Sequence, residues 1–226
     1  MDSKIKQEIE NIILPILKNK RTYLDIGANR GKSSIPFVDI FDRVIAFEPN
    51  TEAINILKEH SKIQVEEFAV SNFIGKAQFV VPGVERGNEW GSIAEHKIDE
   101  ISMNYEQLNK YKVKVTTIDS YKFSDVDFIK IDTEGNEINV LKGAIETIKE
   151  NRPIIYYENK NPENNKYTGD IDSLFEELGY KTKRMQKFWR KDKQPKADML
   201  AMPKEDLISV YIPRVNTDLS AKYFGF

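Results

Sequence analysis

The 226-residue sequence contains no cysteine. That excludes disulfides, thiolate metal sites and a cysteine nucleophile, and it fits a reducing compartment, so a cytoplasmic location is expected. Histidine is nearly as scarce: His60 and His96 are the only two, which leaves few forms of histidine-centred catalysis. Neither charge dominates. With 34 Lys and Arg against 36 Asp and Glu the net charge is −2, too balanced for a chain-wide polycation, so any anion site has to be local and nucleic acid is not an expected partner. Long apolar runs are lacking too. The opening MDSKIKQEIENIILPILKNK has one short apolar run, 12–17, broken by Pro15 and flanked by charge, and reads as neither signal peptide nor membrane span. No repeat, low-complexity tract or linker marks a second unit, so 1–226 is expected to be a single domain.

What the sequence does have is alternation. Short β-branched runs at 22–26, 43–47, 64–70, 126–131 and 154–157 alternate with helical patterns at 3–18, 33–41, 51–60, 137–149 and 170–178. This pattern predicts an α/β fold with a parallel sheet covered on both faces. Strands at 180–189 and 197–202, joined by a turn at 192–195, should end the sheet in an antiparallel pair. About 55 residues, 71–125, lie between the third and fourth core strands, where a crossover needs only a helix and two short loops. An insertion is expected there, with strands at 76–81 and 112–118 and a polar lid at 84–111. The stretch 204–226 lacks periodicity and reads as a C-terminal extension.

The chemistry concentrates in YLDIGANRGKSS, residues 23–34, where an apolar strand enters a glycine-rich turn. Glycines at 27 and 31 allow a close backbone approach to a ligand. The dinucleotide pattern G-x-G-x-x-G fails, because Asn29 and Lys32 stand where its later glycines belong, and the P-loop spacing fails as well. Asp25 beside the turn repels phosphate and attracts a cation such as an ammonium group. Glu48 closes the strand of VIAFEPN, 21 residues after Gly27, where a carboxylate accepts from both ribose hydroxyls. The indicated ligand has an amino group, a ribose and no phosphate.

The series LDIGANRG, AFEPN, EEFAVSN, TTIDSY, FIKIDTEGNEINVLKGA, PIIYYEN and ADMLAMPKE resembles, in order and spacing, the FkbM family of S-adenosylmethionine-dependent methyltransferases over roughly 22–204. The resemblance implies a Rossmann-like seven-stranded methyltransferase sheet whose last strand is antiparallel, and O-methylation of hydroxyls on sugars or other small natural products. It also implies that Asp25, Gly27, Asn29 and Gly31 line the methionine part of S-adenosylmethionine, that Glu48 holds the ribose, and that Phe68, Ala69 and Val70 border the adenine. Phe68 reads equally well as a core aromatic.

Asp132, Glu134 and Glu137 follow the apolar strand DFIKI, at the carboxyl ends of the sheet where ligands bind in open α/β folds. Glu137 reads as a helix-capping acid. Asp132 and Glu134, with Glu158 from the next strand end, are the candidates for the base or for the groups that orient an acceptor hydroxyl. Asp132 with the pair Glu158 and Asn159 also resembles the divalent-metal site of catechol-type O-methyltransferases. Glu158 is longer than the Asp of that site, and the FkbM resemblance needs no metal, so none is expected. In the insertion, Gly91 and Ser92 fall where the family often has a Gly-Ser element, which implies a contact to cofactor or substrate, Trp90 could stack on a sugar face or pack the lid, and His96 is a solvated histidine or a base.

Residues 181–196, KTKRMQKFWRKDKQPK, carry eight basic residues and one acid. A patch for nucleic acid and a solvated hairpin whose lysines protect an edge strand both fit, and the hairpin fits better. Three functions follow: a small-molecule O-methyltransferase, an RNA ribose 2'-O-methyltransferase, and a non-catalytic S-adenosylmethionine-binding protein. The first is favoured. The Lys-Asp-Lys-Glu tetrad of the second has no convincing placement, and intact acids at both strand ends argue against the third.

Overall fold

The structure, a computed structural model, describes residues 4–82, 91–104, 106–159, 171–185 and 197–206. Among the described residues, ten strands form two sheets. The larger holds β1 (Thr22–Ile26), β2 (Arg43–Phe47), β3 (Ile63–Glu66), β7 (Val126–Ile131), β8 (Ile154–Asn159), β9 (Tyr180–Arg184) and β10 (Ala197–Pro203), in the order β3-β2-β1-β7-β8-β10-β9. Among these only β10 runs against its neighbours, pairing antiparallel with both β8 and β9. This is the expected seven-stranded methyltransferase-type sheet. The last strand slots inside β9 rather than beyond it, so the end of the sheet is a three-strand arrangement.

Side chains alternate across the central strands, and each face has its own core. Leu24, Ile26, Ile129, Ile131 and Tyr157 face α4 (Glu137–Lys142), α5 (Ile145–Asn151) and α6 (Ile171–Glu177). Tyr23, Phe128, Tyr156 and Leu200 face the N-terminal segment through Ile9, Ile12 and Ile13. That segment begins as α1 (Lys4–Glu8), widens into a π turn over Ile9–Ile13 and tightens at Leu14–Ile16, where Pro15 has no N–H to continue a helix. Helix α2 (Thr51–Lys58) starts on Asn50, whose side chain accepts from the Glu52 N–H. No helix among the described residues is long and apolar enough to cross a membrane.

Three expected elements differ. The helix expected at 33–41 is a chain of turns with one 3-10 segment, Ile35–Phe37, because Pro36 lacks a donor and disfavours helical dihedrals before it. The strand expected at 64–70 stops at Glu66, whose carbonyl accepts from the N–H groups of both Glu48 and Phe68, and β4 (Ala69–Val70) leaves for the second sheet. The helix expected at 137–149 is divided at Gly143, where a β-carbon would lie 2.1 Å from the Ser71 carbonyl oxygen. Helix α5 restarts on a remote cap: the Asp119 carboxylate accepts from the N–H groups of Glu146 and Thr147 and from the Thr147 hydroxyl.

The insertion between β3 and β7 builds the second sheet, β4-β6-β5, with β5 (Gly75–Pro82) antiparallel to β6 (Leu108–Thr116) and β4 parallel to it. Its centre contains α3 (Glu95–Asn104) where a polar lid was expected. Ala69, Phe79, Val81, Val113 and Val115 form its own small core. Most of the basic stretch, 186–196, lies outside the described residues, as does the extension beyond 206.

Asp119→Ala is expected to remove the cap of α5 at a cost of about 1–2 kcal/mol, lowering the thermal midpoint by roughly 3–8 °C. An unchanged midpoint in a calorimetric scan would contradict that role.

Candidate active site

The carboxyl ends of β1 and β7 approach so closely that only a glycine fits between them. Gly27 has φ 76°, and a β-carbon on it would lie 1.9 Å from the Asp132 carbonyl oxygen. The turn that follows is fastened to β2: Gly27 and Ala28 both donate to the Phe47 carbonyl. Asn29, itself left-handed at φ 50°, donates its N–H to Glu48 Oε2 at 2.8 Å. Asn50 N–H donates to Glu48 Oε1, also at 2.8 Å. The Glu48 carboxylate therefore sits at one end of a cleft with one backbone donor on each oxygen and a second acceptor position on each still available. Burial at 6% exposure outweighs these bonds and pushes its carboxyl up to about 7.

Phe68, Ala69 and Val70 line the same cleft beside Phe47, and Gly27 and Asn29 line its floor. Asp25 and Gly31 do not. Asp25 is fully buried behind the turn, where Ser33 and Ser34 donate to its Oδ2 at 2.6 and 2.5 Å and Lys130 Nζ lies 3.1 Å from its Oδ1. Its charge is met by a cation of the protein itself, unlike the ligand ammonium expected from the sequence. Gly31 packs against Ile35 and Leu57, which a β-carbon would approach to 2.8 Å.

Beside the Gly27 turn the acids converge. Carboxylate oxygens of Asp132, Glu134 and Glu158 all lie within 4.8 Å of one another. Asp132 and Glu134 line the cleft, and Glu158 joins them from β8, one residue before the buried Asn159. The turn carrying Glu134 is unusual, with φ 55° at a residue that has a β-carbon, followed by Gly135 at φ 103°. It is held from two sides. The buried Glu137 carboxylate accepts from Thr133 N–H, Thr133 Oγ1 and Gly135 N–H, and burial raises its pKa. From the insertion, Ser92 Oγ donates to the Glu134 carbonyl at 2.9 Å while accepting from Ala94 N–H. Glu137 thus braces the acid turn that precedes its own helix.

Ser92, expected to contact cofactor or substrate, lines the cleft while its hydroxyl donates to the Glu134 carbonyl. Gly91 lines the cleft next to it. His96 lies in the first turn of α3, its side chain outside the described residues, and Trp90 is outside them altogether. Sequence reasoning missed two residues. Lys130, at 3% exposure, donates to the Gly27 carbonyl at 2.9 Å and lies 3.7 Å from Asp132 Oδ2. The sequence held a signal for it: a lysine between isoleucines on a strand with both faces covered. Asn136, buried, donates to the Val70 carbonyl at 2.9 Å and so ties the acid turn to β4; nothing in its neighbours announces that contact.

A family model described as the methyltransferase FkbM domain matches residues 25–182. The fold is similar to that of methyltransferase FkbM from Methylobacillus flagellatus, with a TM-score of 0.55 at 18% identity. The match covers 81% of this chain and 43% of that one, so this chain spans less than half of that protein. SMU.1697c from Streptococcus mutans, determined in complex with SAH, is similar with a TM-score of 0.52 at 10% identity, over 89% of this chain and 99% of the other. No curated protein matches significantly.

The raised Glu48 carboxyl has a consequence for stability without any ligand. A carboxyl whose folded value lies near 7 rather than 4.5 contributes stability that is full below the unfolded value and is lost as pH rises through the folded one. Relative to Glu48→Gln, the wild type is therefore expected to lose on the order of 3 kcal/mol between about pH 4 and pH 8. Denaturant titrations at several pH values measure the difference, and parallel pH curves for the two proteins would refute the buried-carboxyl assignment.

Proposed function

Because the chain belongs to the FkbM methyltransferase family, we propose that it transfers the methyl group of S-adenosylmethionine to a hydroxyl of a sugar or other small natural product. A single domain acting in the cytoplasm would suffice for this. The observation that carries the proposal is the pairing of two chemistries in one cleft: the Glu48 carboxylate with one backbone donor on each oxygen, and the acids Asp132 and Glu134, which Glu158 adjoins. SAH bound to a protein of similar fold supports the choice of cofactor.

The residues fit that cofactor. Glu48 would take the two ribose hydroxyls in its remaining acceptor positions, and Phe68, Ala69 and Val70 offer an apolar edge for the adenine. Gly27 and Asn29 would border the methionine part, with Asp25 and Gly31 supporting the turn from behind. When bound, S-adenosylmethionine supplies a methyl group on a positively charged sulfur, already activated for displacement. The chain's own work is then positional and basic. Asp132 and Glu134 would hold the acceptor oxygen in line, one of them taking its proton, with Glu158 adjoining. The insertion would shape the acceptor pocket through Gly91 and the segment around Trp90 and His96. Carboxylate base chemistry needs no metal ion, although the three acids are close enough to share one.

Calorimetry with S-adenosylhomocysteine is expected to give micromolar affinity, and Glu48→Ala is expected to weaken it at least about tenfold through loss of charged hydrogen bonds. A dinucleotide that binds more tightly would refute the cofactor assignment. In transfer of a radiolabelled methyl group to a panel of methyl glycosides, Asp132→Asn and Glu134→Gln are expected to depress turnover far more than cofactor affinity. Turnover is also expected to survive EDTA; activity abolished by chelation and restored by Mg²⁺ would replace the base mechanism with a metal one.

A further inference from the structure

Lys130 is a charge in a place that normally tolerates none. It lies on β7, the strand at the centre of the larger sheet, paired in register with Asp25 of β1 on one side and Tyr156 of β8 on the other, and it is 3% exposed. An ammonium removed from water persists only where partners replace its hydration. Here one hydrogen bond and two ion pairs do so: Lys130 donates to the Gly27 carbonyl at 2.9 Å, and its ammonium lies 3.1 Å from Asp25 Oδ1 and 3.7 Å from Asp132 Oδ2. Burial opposes the charge, but Asp25 and Asp132 outweigh it and keep the amine cationic.

Asp25 alone could explain a buried counter-charge. It does not explain why the same nitrogen also donates to the carbonyl of the glycine turn and lies beside the Asp132 carboxylate of the neighbouring strand end. Resting on the methyl-transfer reading, we infer that Lys130 is a positioning residue that couples the cofactor turn at Gly27 to the acceptor acid Asp132. The hydrogen bond to the turn and the ion pair to Asp132 share one atom, so a displacement of the turn moves the cation toward or away from Asp132. Filling the methionine end of the cleft thereby sets the acid that handles the hydroxyl.

Removing Lys130 alone would strand the buried Asp25, so the test compares Asp25→Asn/Lys130→Gln with Asp25→Asn. The neutral pair is expected to fold, with a thermal midpoint no lower than that of Asp25→Asn, in which the buried ammonium has lost its nearest carboxylate. Relative to that single variant, S-adenosylhomocysteine affinity by calorimetry is expected to fall at least about threefold, because the Gly27 carbonyl has lost its donor. Methyl transfer to the methyl glycoside panel is expected to fall at least about tenfold in kcat, because Asp132 has lost its cation. Both have to move. Affinity and kcat within twofold of Asp25→Asn would reduce Lys130 to a counter-charge. A change in affinity alone would remove the link to Asp132, and a change in kcat alone would remove the link to Gly27.

If the neutral pair does not fold, Lys130→Arg decides. It retains the charge beside Asp25, but a planar guanidinium cannot reproduce three contacts from one nitrogen. The same two losses are expected, and wild-type values would overturn the inference. A wild-type protein that binds no S-adenosylhomocysteine would overturn the proposed function and this inference with it, whereas normal binding with indifferent Lys130 variants overturns the inference alone.

Discussion

No β-carbon fits between the ends of β1 and β7, and most of the site follows from that contact. With Gly27 against the Asp132 carbonyl, the Asp132 N–H reaches the Ile26 carbonyl at 3.0 Å and Lys130 reaches the Gly27 carbonyl at 2.9 Å. The turn that would receive the cofactor and the turn that carries the acids become neighbours by backbone contact rather than by long side chains. Such contacts admit little slack, which is what an in-line displacement asks of a protein, since misplacement by about 1 Å costs on the order of a hundredfold in rate. A larger residue at 27 would separate the two strands and the two halves of the chemistry together.

The insertion is joined to this arrangement by a few directed bonds. Ser92 holds the Glu134 carbonyl, Asn136 holds the Val70 carbonyl, and Gly143 lets the chain at Ser71 pass close to the start of α5. Each hydrogen bond contributes about 1 kcal/mol on its own. Together they set the second sheet against the acid turn, so that sheet and the acids share supports. Glu134 illustrates the result: a left-handed residue with a side chain is held between Ser92 on one side and Glu137 on the other. Conformational strain of this kind concentrates where a side chain has to be aimed.

Local signals carried much of this into the sequence. β1, β2 and β7 have the bounds their apolar runs suggested, and the glycine turn and the acids after DFIKI stand at the strand ends where periodicity put them. What sequence could not reveal depended on partners far along the chain. Asp25 reads as a ligand for a cation until Lys130, 105 positions later, is seen to supply that cation from inside the protein. Ser92 reads as a pocket hydroxyl, which it is, but its bond to the Glu134 carbonyl, 42 positions later, shows only in the fold. The helix expected at 33–41 fails for a local reason, Pro36, that the amphipathic pattern concealed. The helix over 137–149 divides at Gly143 because another segment passes there.

The central claim is that one cleft holds the cofactor's ribose on Glu48 and brings its sulfur to the acids of the neighbouring turn. A crystal structure with S-adenosylhomocysteine tests it most directly. The account requires both ribose hydroxyls within hydrogen-bond distance of the Glu48 carboxylate, with the sulfur directed toward Asp132 and Glu134. A ribose bound elsewhere, or a sulfur facing away from those two carboxylates, would contradict it.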